Sequence, residues 1–408
     1  MKKWIECIIL LLVITIIFTG CSEKTEKKPD REFVKEEMEE EEVDPIMEKL
    51  EKMTIDEKIG QLVLVGLDGV ELDDKTVELI ESYYVGGFIL FKKNINSVSQ
   101  LVELTNSIKS INSKNTIPMF IGVDEEGGRV SRIPKEIIKT PKARDIGLID
   151  DEHFSYEIGK ILGNNLSLLG INMDFAPVLD IHSNSKNTVI GDRAFGSTSQ
   201  IVSKHGLLVM NGIKDSHVIP VVKHFPGHGD TYMDSHVNLP VVNKTKEELE
   251  KLEFIPFKEA INNGADVVMI GHILLSNIDE EYPATLSKSL INDILREELK
   301  FDGVVVTDDM TMGAITKNFD IGSASVRSLK AGSDIVLVCF EHEKQLKVLN
   351  AIREAVNNND ISKDEIDKKV YRILKLKDKY NLKDNEIEVP NVIDVNNRTK
   401  ELLDKYIK

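Results

Sequence analysis

Between His224 and His236 the chain places three histidines and two aspartates in thirteen residues, although it has nine histidines in 408 residues. An apolar run through Val221 and Val222 ends in Lys223-His224, and Gly227 and Gly229 then break the stretch into a loop. Residues of these types support three kinds of chemistry. His224, His228, Asp230, His236, His272 and Asp308 are eligible ligands for a divalent ion. Asp234 and His236, two apart, share one face of an extended segment. The carboxylate can then orient the imidazole and favour its charged form, so the pair can protonate a leaving group and later deprotonate water. A hydrogen-bonded knot with no chemistry is the third reading. Lys223 and His224 can both donate to hydroxyl groups, and Lys223 can equally serve as an ion-pair partner. Asp308 emerges from Val304-Val305-Val306, where partial desolvation suits a nucleophile, a general base or a ligand. It or Asp309 can instead cap the segment that follows.

The elements that position these groups follow from the apolar pattern. Eight short runs read as strands: 62–67, 87–91, 118–123, 172–177, 219–224, 266–271, 303–307 and 334–340. Several are continuously apolar, as parallel strands covered on both faces require. Amphipathic segments lie between them, for example 97–111, 154–169, 246–262, 289–299 and 323–330, and Thr54 with Glu57 forms a capping-box signature. Eight strand-helix units predict an α/β fold, a TIM (β/α)8-type barrel forming a single catalytic domain. An open doubly wound sheet competes, but its glycine-rich fingerprint is missing after the first run, which reads Val65-Gly66-Leu67-Asp68-Gly69. Charged groups collect where strands should end: Asp124-Glu125-Glu126, Asp180, Asp192-Arg193, Lys223-His224, His272 and Asp308-Asp309. That convergence marks the active end of a barrel. Metal-dependent barrel hydrolases add a His-x-His after the first strand, whereas here no histidine precedes His153, so no metal is expected.

Net charge is −17, with 41% hydrophobic and 30% charged residues, which describes a soluble globular domain and excludes a nucleic-acid partner. Cys7, Cys21 and Cys339 are the only cysteines, so no disulfide framework is expected. Lys2 and Lys3 precede an apolar stretch over 8–18 that ends in Thr19-Gly20-Cys21, which resembles a bacterial lipoprotein processing site. Residues 1–21 are therefore expected to be a signal peptide whose Cys21 is lipidated. Residues 22–44 carry eleven acidic and five basic side chains, a composition that cannot fold alone. They read as a tether reaching on the order of 75 Å at about 3.3 Å per residue. The domain over 45–380 is then extracytoplasmic and lipid-anchored to a membrane, followed by a polar tail over 381–408.

Lys223-His224-Phe225-Pro226-Gly227-His228-Gly229, then Asp234-Ser235-His236, then Val306-Thr307-Asp308-Asp309-Met310 and Met312, resemble family 3 glycoside hydrolases, specifically their bacterial β-N-acetylglucosaminidase branch. The resemblance covers about residues 45–380. It implies a retaining double displacement with Asp308 as nucleophile, His236 as acid/base and Asp234 as its partner. It implies that Asp124, Arg132, Arg193, Lys223 and His224 bind the sugar, and that neither metal nor organic cofactor takes part. The expected substrate is N-acetylglucosamine-containing wall fragments such as muropeptides, hydrolysed by a monomeric enzyme. Two alternatives stand beside it: a phosphorylase, since a histidine acid/base repels phosphate less than a carboxylate does, and a sugar-binding lipoprotein without catalysis.

Overall fold

The computed structural model describes residues 44–231, 235 and 238–407. Cys21, Asp234 and His236 lie outside the described residues. Eight parallel strands close into a TIM-type barrel in which each pairs with its sequence neighbours and the last pairs with the first. They are β1 Val63–Gly66, β2 Gly87–Leu90, β3 Phe120–Val123, β4 Met173–Asp174, β5 Ile219–Phe225, β6 Val267–Ile270, β7 Val304–Asp309 and β8 Ile335–Val338. Each falls on a run expected from the sequence, and the reason is physical: these runs are buried on both faces, so nearly every position is apolar.

The departures have local causes. β4 is only two residues long, although backbone hydrogen bonds to its neighbours continue on either side of it, from the Asn172 N–H to the Ile121 carbonyl (3.0 Å) and from the Val221 N–H to the Ala176 carbonyl (3.1 Å). The Asn172 side chain, not the backbone, accepts from the Ile121 N–H (2.8 Å), and Pro177 has no N–H to give. The expected helix over 246–262 is two helices, Lys246–Glu250 and Phe254–Asn262. Pro256 cannot follow an unbroken helix, because its ring would meet the carbonyl of Leu252. The segment Ser289–Glu298 is wound as a π-helix. β7 runs two residues further than expected and carries Asp308 and Asp309 onto the strand end.

The expected polar tail over 381–408 includes one more helix, Ile393–Tyr406. Its polarity hid it, because it buries little: Thr399 is covered, and Tyr406 packs tilted on Phe154 with ring centroids 4.7 Å apart. Asn106 brackets Ile387 with two backbone hydrogen bonds of 2.8 and 3.0 Å on the way. At the other end Asp44, the last residue assigned to the tether, caps the helix Pro45–Lys52 and accepts from the Tyr371 hydroxyl (2.8 Å). Among the described residues no helix is long and apolar enough to cross a membrane.

One buried carboxylate ties the far side of the barrel. Asp334, just before β8, accepts from the Val305 N–H (2.8 Å) and pairs with Arg296 (2.5 Å) and Arg372 (3.2 Å). Removing it would leave a nearly buried guanidinium uncompensated. Asp334→Ala is therefore expected to cost about 3 kcal/mol, read as a lower midpoint in urea unfolding.

Candidate active site

At the end of β3 the chain leaves the strand as Asp124-Glu125-Glu126. Side chains two apart in an extended segment share a face, so Asp124 and Glu126 face one way and Glu125 the other. β5 brings Lys223 up between the first two. Its ammonium donates to Asp124 Oδ1 (2.6 Å) and sits 2.7 Å from Glu126 Oε1, and the residue is 1% exposed. Glu126 also takes a two-pronged grip from Arg193, from Nε and Nη2 at 2.7 Å each. Arg132 lies 3.7 Å from Asp124, and its Nε has no partner among the described residues. Three cations thus face two carboxylates. Burial alone would raise the Glu126 pKa, but Arg193 and Lys223 hold it well below the usual carboxylate range. Burial also disfavours the Lys223 charge, yet Asp124 and Glu126 outweigh it and raise its pKa.

A second knot holds the loop after β5. Asp180, fully buried beyond β4, accepts from the His228 N–H (2.6 Å), the His224 N–H (3.3 Å) and His224 Nδ1 (2.7 Å). Burial pushes its pKa up, while the facing His224 and His228 more than reverse this. With Nδ1 donating to Asp180, the tautomer of His224 is fixed by its partner. Burial lowers the His228 pKa to about 4, so at neutral pH it is an uncharged hydrogen-bonding group. It contacts the Thr231 hydroxyl (2.8 Å) and the Ser235 hydroxyl (3.3 Å). Gly227 has φ of 122°, and a Cβ on Gly229 would lie 1.6 Å from the Ile181 carbonyl, so neither tolerates a side chain. His272, eligible as a ligand from sequence, bonds Thr285 (2.7 Å) and the Asp309 carbonyl (2.9 Å). It ties the ends of β6 and β7.

The two aspartates ending β7 have separate tasks. Asp309 is buried and accepts from the Thr311 N–H (2.9 Å), the Thr311 hydroxyl (2.6 Å) and the Cys339 N–H (3.0 Å). Asp308 is half-buried, accepts from the Asp309 N–H (2.8 Å), and lines a cavity of about 520 Å³. Asp124, Arg132, Arg193, Lys223 and His224 line the same cavity. Six of the eight residues singled out for catalysis and sugar binding therefore meet in one space. Asp234 and His236 lie outside the described residues, but Ser235 between them lines the cavity and accepts at its carbonyl from the Ala314 N–H (3.1 Å). The cavity's size suits a small-molecule site.

Glu126 and Asp180 are working members of this site that the sequence reading noticed but did not assign. The two-residue spacing of Asp124 and Glu126 was the available signal for the first. Nothing local signals Asp180, whose partners arrive from 44 and 48 residues away. Glu125, on the opposite face, accepts from the N–H groups of Arg132 (2.6 Å) and Ile133 (3.2 Å) and so sets the loop that carries Arg132.

Two outcomes follow. Glu126→Ala is expected to lower kcat/KM about 100-fold by releasing Lys223 and Arg193 from their fixed positions, measured by steady-state kinetics. Burial pushes the Glu125 pKa from 4.5 to about 7. A carboxyl raised in the folded state contributes stability below its unfolded pKa and loses it as pH rises through the folded one. Glu125→Gln should therefore gain on wild type by roughly 3 kcal/mol between pH 5 and pH 8, read from urea unfolding at both pH values.

The chain matches the profile of the glycosyl hydrolase family 3 N terminal domain over residues 54–376. Among solved structures, a family 3 β-N-acetylglucosaminidase from Paenibacillus sp. str. FPU-7 superposes with a TM-score of 0.83 at 38% identity, over 87% of this chain and 69% of that one. The chain is 34% identical over 293 residues to a β-hexosaminidase of Methylobacillus flagellatus, covering 70% of itself and 82% of the relative. It is 33% identical over 333 residues to β-hexosaminidase A of Pseudoalteromonas piscicida, covering 74% of itself and 54%, about half, of that protein. The barrel, the cavity at its strand ends and these likenesses agree: the chain belongs to glycosyl hydrolase family 3.

Proposed function

We propose that the protein is an exo-acting β-N-acetylhexosaminidase that retains anomeric configuration. The observation that carries this is the division of labour in the cavity: both aspartates ending β7 line it, but Asp308 is half-buried there while Asp309 is buried and held by Thr311 and the Cys339 N–H. Relatives named β-hexosaminidase support the choice of sugar.

In this reading Asp124, Arg132, Lys223, His224 and Arg193 position the terminal sugar. Asp308 attacks the anomeric carbon, and the bond to the leaving oxygen breaks as His236, oriented by Asp234, donates its proton there. The neutral imidazole then takes a proton from water, the water oxygen bonds to the anomeric carbon, and Asp308 leaves as a carboxylate. A histidine can serve both halves because its pKa lies near neutrality. Ser235, the residue between them in sequence, lines the cavity.

The substrate is a wall fragment ending in N-acetylglucosamine, such as a muropeptide. The enzyme works outside the cytoplasm, lipid-anchored at Cys21. The lysine-flanked apolar N-terminus and Thr19-Gly20-Cys21 support the location, and a wall-derived substrate fits it. A chromogenic β-N-acetylglucosaminide and the matching β-glucoside, each with wild type and Asp308→Ala, test the reading. Wild type should prefer the first substrate, gain nothing from added phosphate, and lose about 10⁴-fold in kcat on substitution. Undiminished hydrolysis by the variant overturns the nucleophile, and hydrolysis of the glucoside alone overturns the sugar.

A further inference from the structure

The charged groups of the cavity stand at the ends of β3, β5 and β7. On the arc of the barrel between β7 and β3, formed by β8, β1 and β2, the cavity is lined by aromatic rings. Phe91 follows β2 and Phe340 follows β8, so the two flank the end of β1. Both line the cavity, and their rings touch with centroids 4.9 Å apart at 33°. Phe340 is 37% exposed, whereas Lys223 in the same cavity is 1% exposed. An aromatic side chain gains substantially from burial, so an exposed ring on a cavity wall is a surface kept for something to cover.

The backbone holds it there at a cost. Glu341, the next residue, has φ of 63° and ψ of 101°, a region that non-glycine residues rarely occupy. Such conformations persist where the surroundings impose them, and they collect at binding sites. The strained turn sends the chain straight into the helix His342–Asn357 and leaves Phe340 projecting at the wall. The Lys93 ammonium lies over the Phe340 ring, 5.1 Å from the centroid, and is held on the outside by its pair with Asp68 at 2.8 Å.

We propose that Phe340, backed by Phe91, is the platform for the leaving-group sugar. This rests on the exo-hydrolase reading above. The terminal sugar needs fixed polar partners, and those are the buried groups on the cavity floor. What it is bonded to must then extend toward the mouth, where Phe340 is. A pyranose suits the ring because one of its faces is lined by C–H groups, which an aromatic surface covers without stranding a polar atom. Phe340 therefore governs which leaving groups are accepted and takes no part in moving protons.

Two substrates with one glycone separate this role from others. A β-linked N-acetylglucosamine disaccharide has a leaving sugar, and N-acetylglucosaminyl fluoride has none. Phe340→Ala should raise KM for the disaccharide about tenfold with kcat nearly unchanged, the pattern of lost uniform binding. The fluoride's constants should stay within about twofold, which also reports an intact fold, and Phe340→Trp should restore the disaccharide KM. Equal losses on both substrates, or no change on the disaccharide, overturn the proposal. If wild type instead accepts cellobiose and glucosyl fluoride, the sugar assignment fails, and the same comparison on that pair still decides Phe340.

Discussion

A lysine ammonium almost wholly removed from water has to be answered by charge, and the site is built around that requirement. An unpaired buried ion costs several kcal/mol even after the protein relaxes. Lys223 is answered by Asp124 and Glu126, and Glu126 in turn by Arg193. These residues come from three stretches: the loop after β3, the segment around 190–195, and β5. Satisfying one buried charge therefore fixes three segments against one another. The network presents the remaining faces of Asp124, Arg132 and His224 to the cavity. Such a network adds little to net stability; what it supplies is position.

The Asp180 knot does for the β5 loop what the ion chain does for the floor. Its two oxygens meet two backbone N–H groups and one imidazole, and the glycines at 227 and 229 let the backbone close around them. His228 illustrates the effect of surroundings on a residue type. In the sequence it was as eligible to bind a divalent ion as His236. Burial keeps it neutral near pH 7, and Thr231 and Ser235 occupy it. Charged residues at the ends of β3, β5 and β7 share the cavity with Phe91 and Phe340, so one space holds both buried polar groups and an exposed aromatic surface. That division separates the atoms that would hold a sugar from those that would meet its leaving group.

What the sequence by itself determined was the barrel and the end of it that matters. Eight apolar runs of strand length, spaced by amphipathic segments, leave few other ways to bury both faces of a sheet. Charged residues at the C-terminal ends of five of them point to one rim. Asp124, Arg132, Arg193, Lys223, His224 and Asp308 were all legible this way, because motif and strand-end position are local properties. The helix Ile393–Tyr406 was not, since it is a largely polar segment in which only Thr399 is fully covered. Only the tertiary structure decided which of two adjacent aspartates lining the cavity, Asp308 or Asp309, stays half-exposed and which is buried against Thr311 and the Cys339 N–H. Only it made Glu126 and Asp180 the residues that hold the rest, and it alone placed Phe91 beside Phe340. The reason is common to all three: a buried charge or ring takes its role from partners brought from distant parts of the chain, and those partners meet only when the barrel closes.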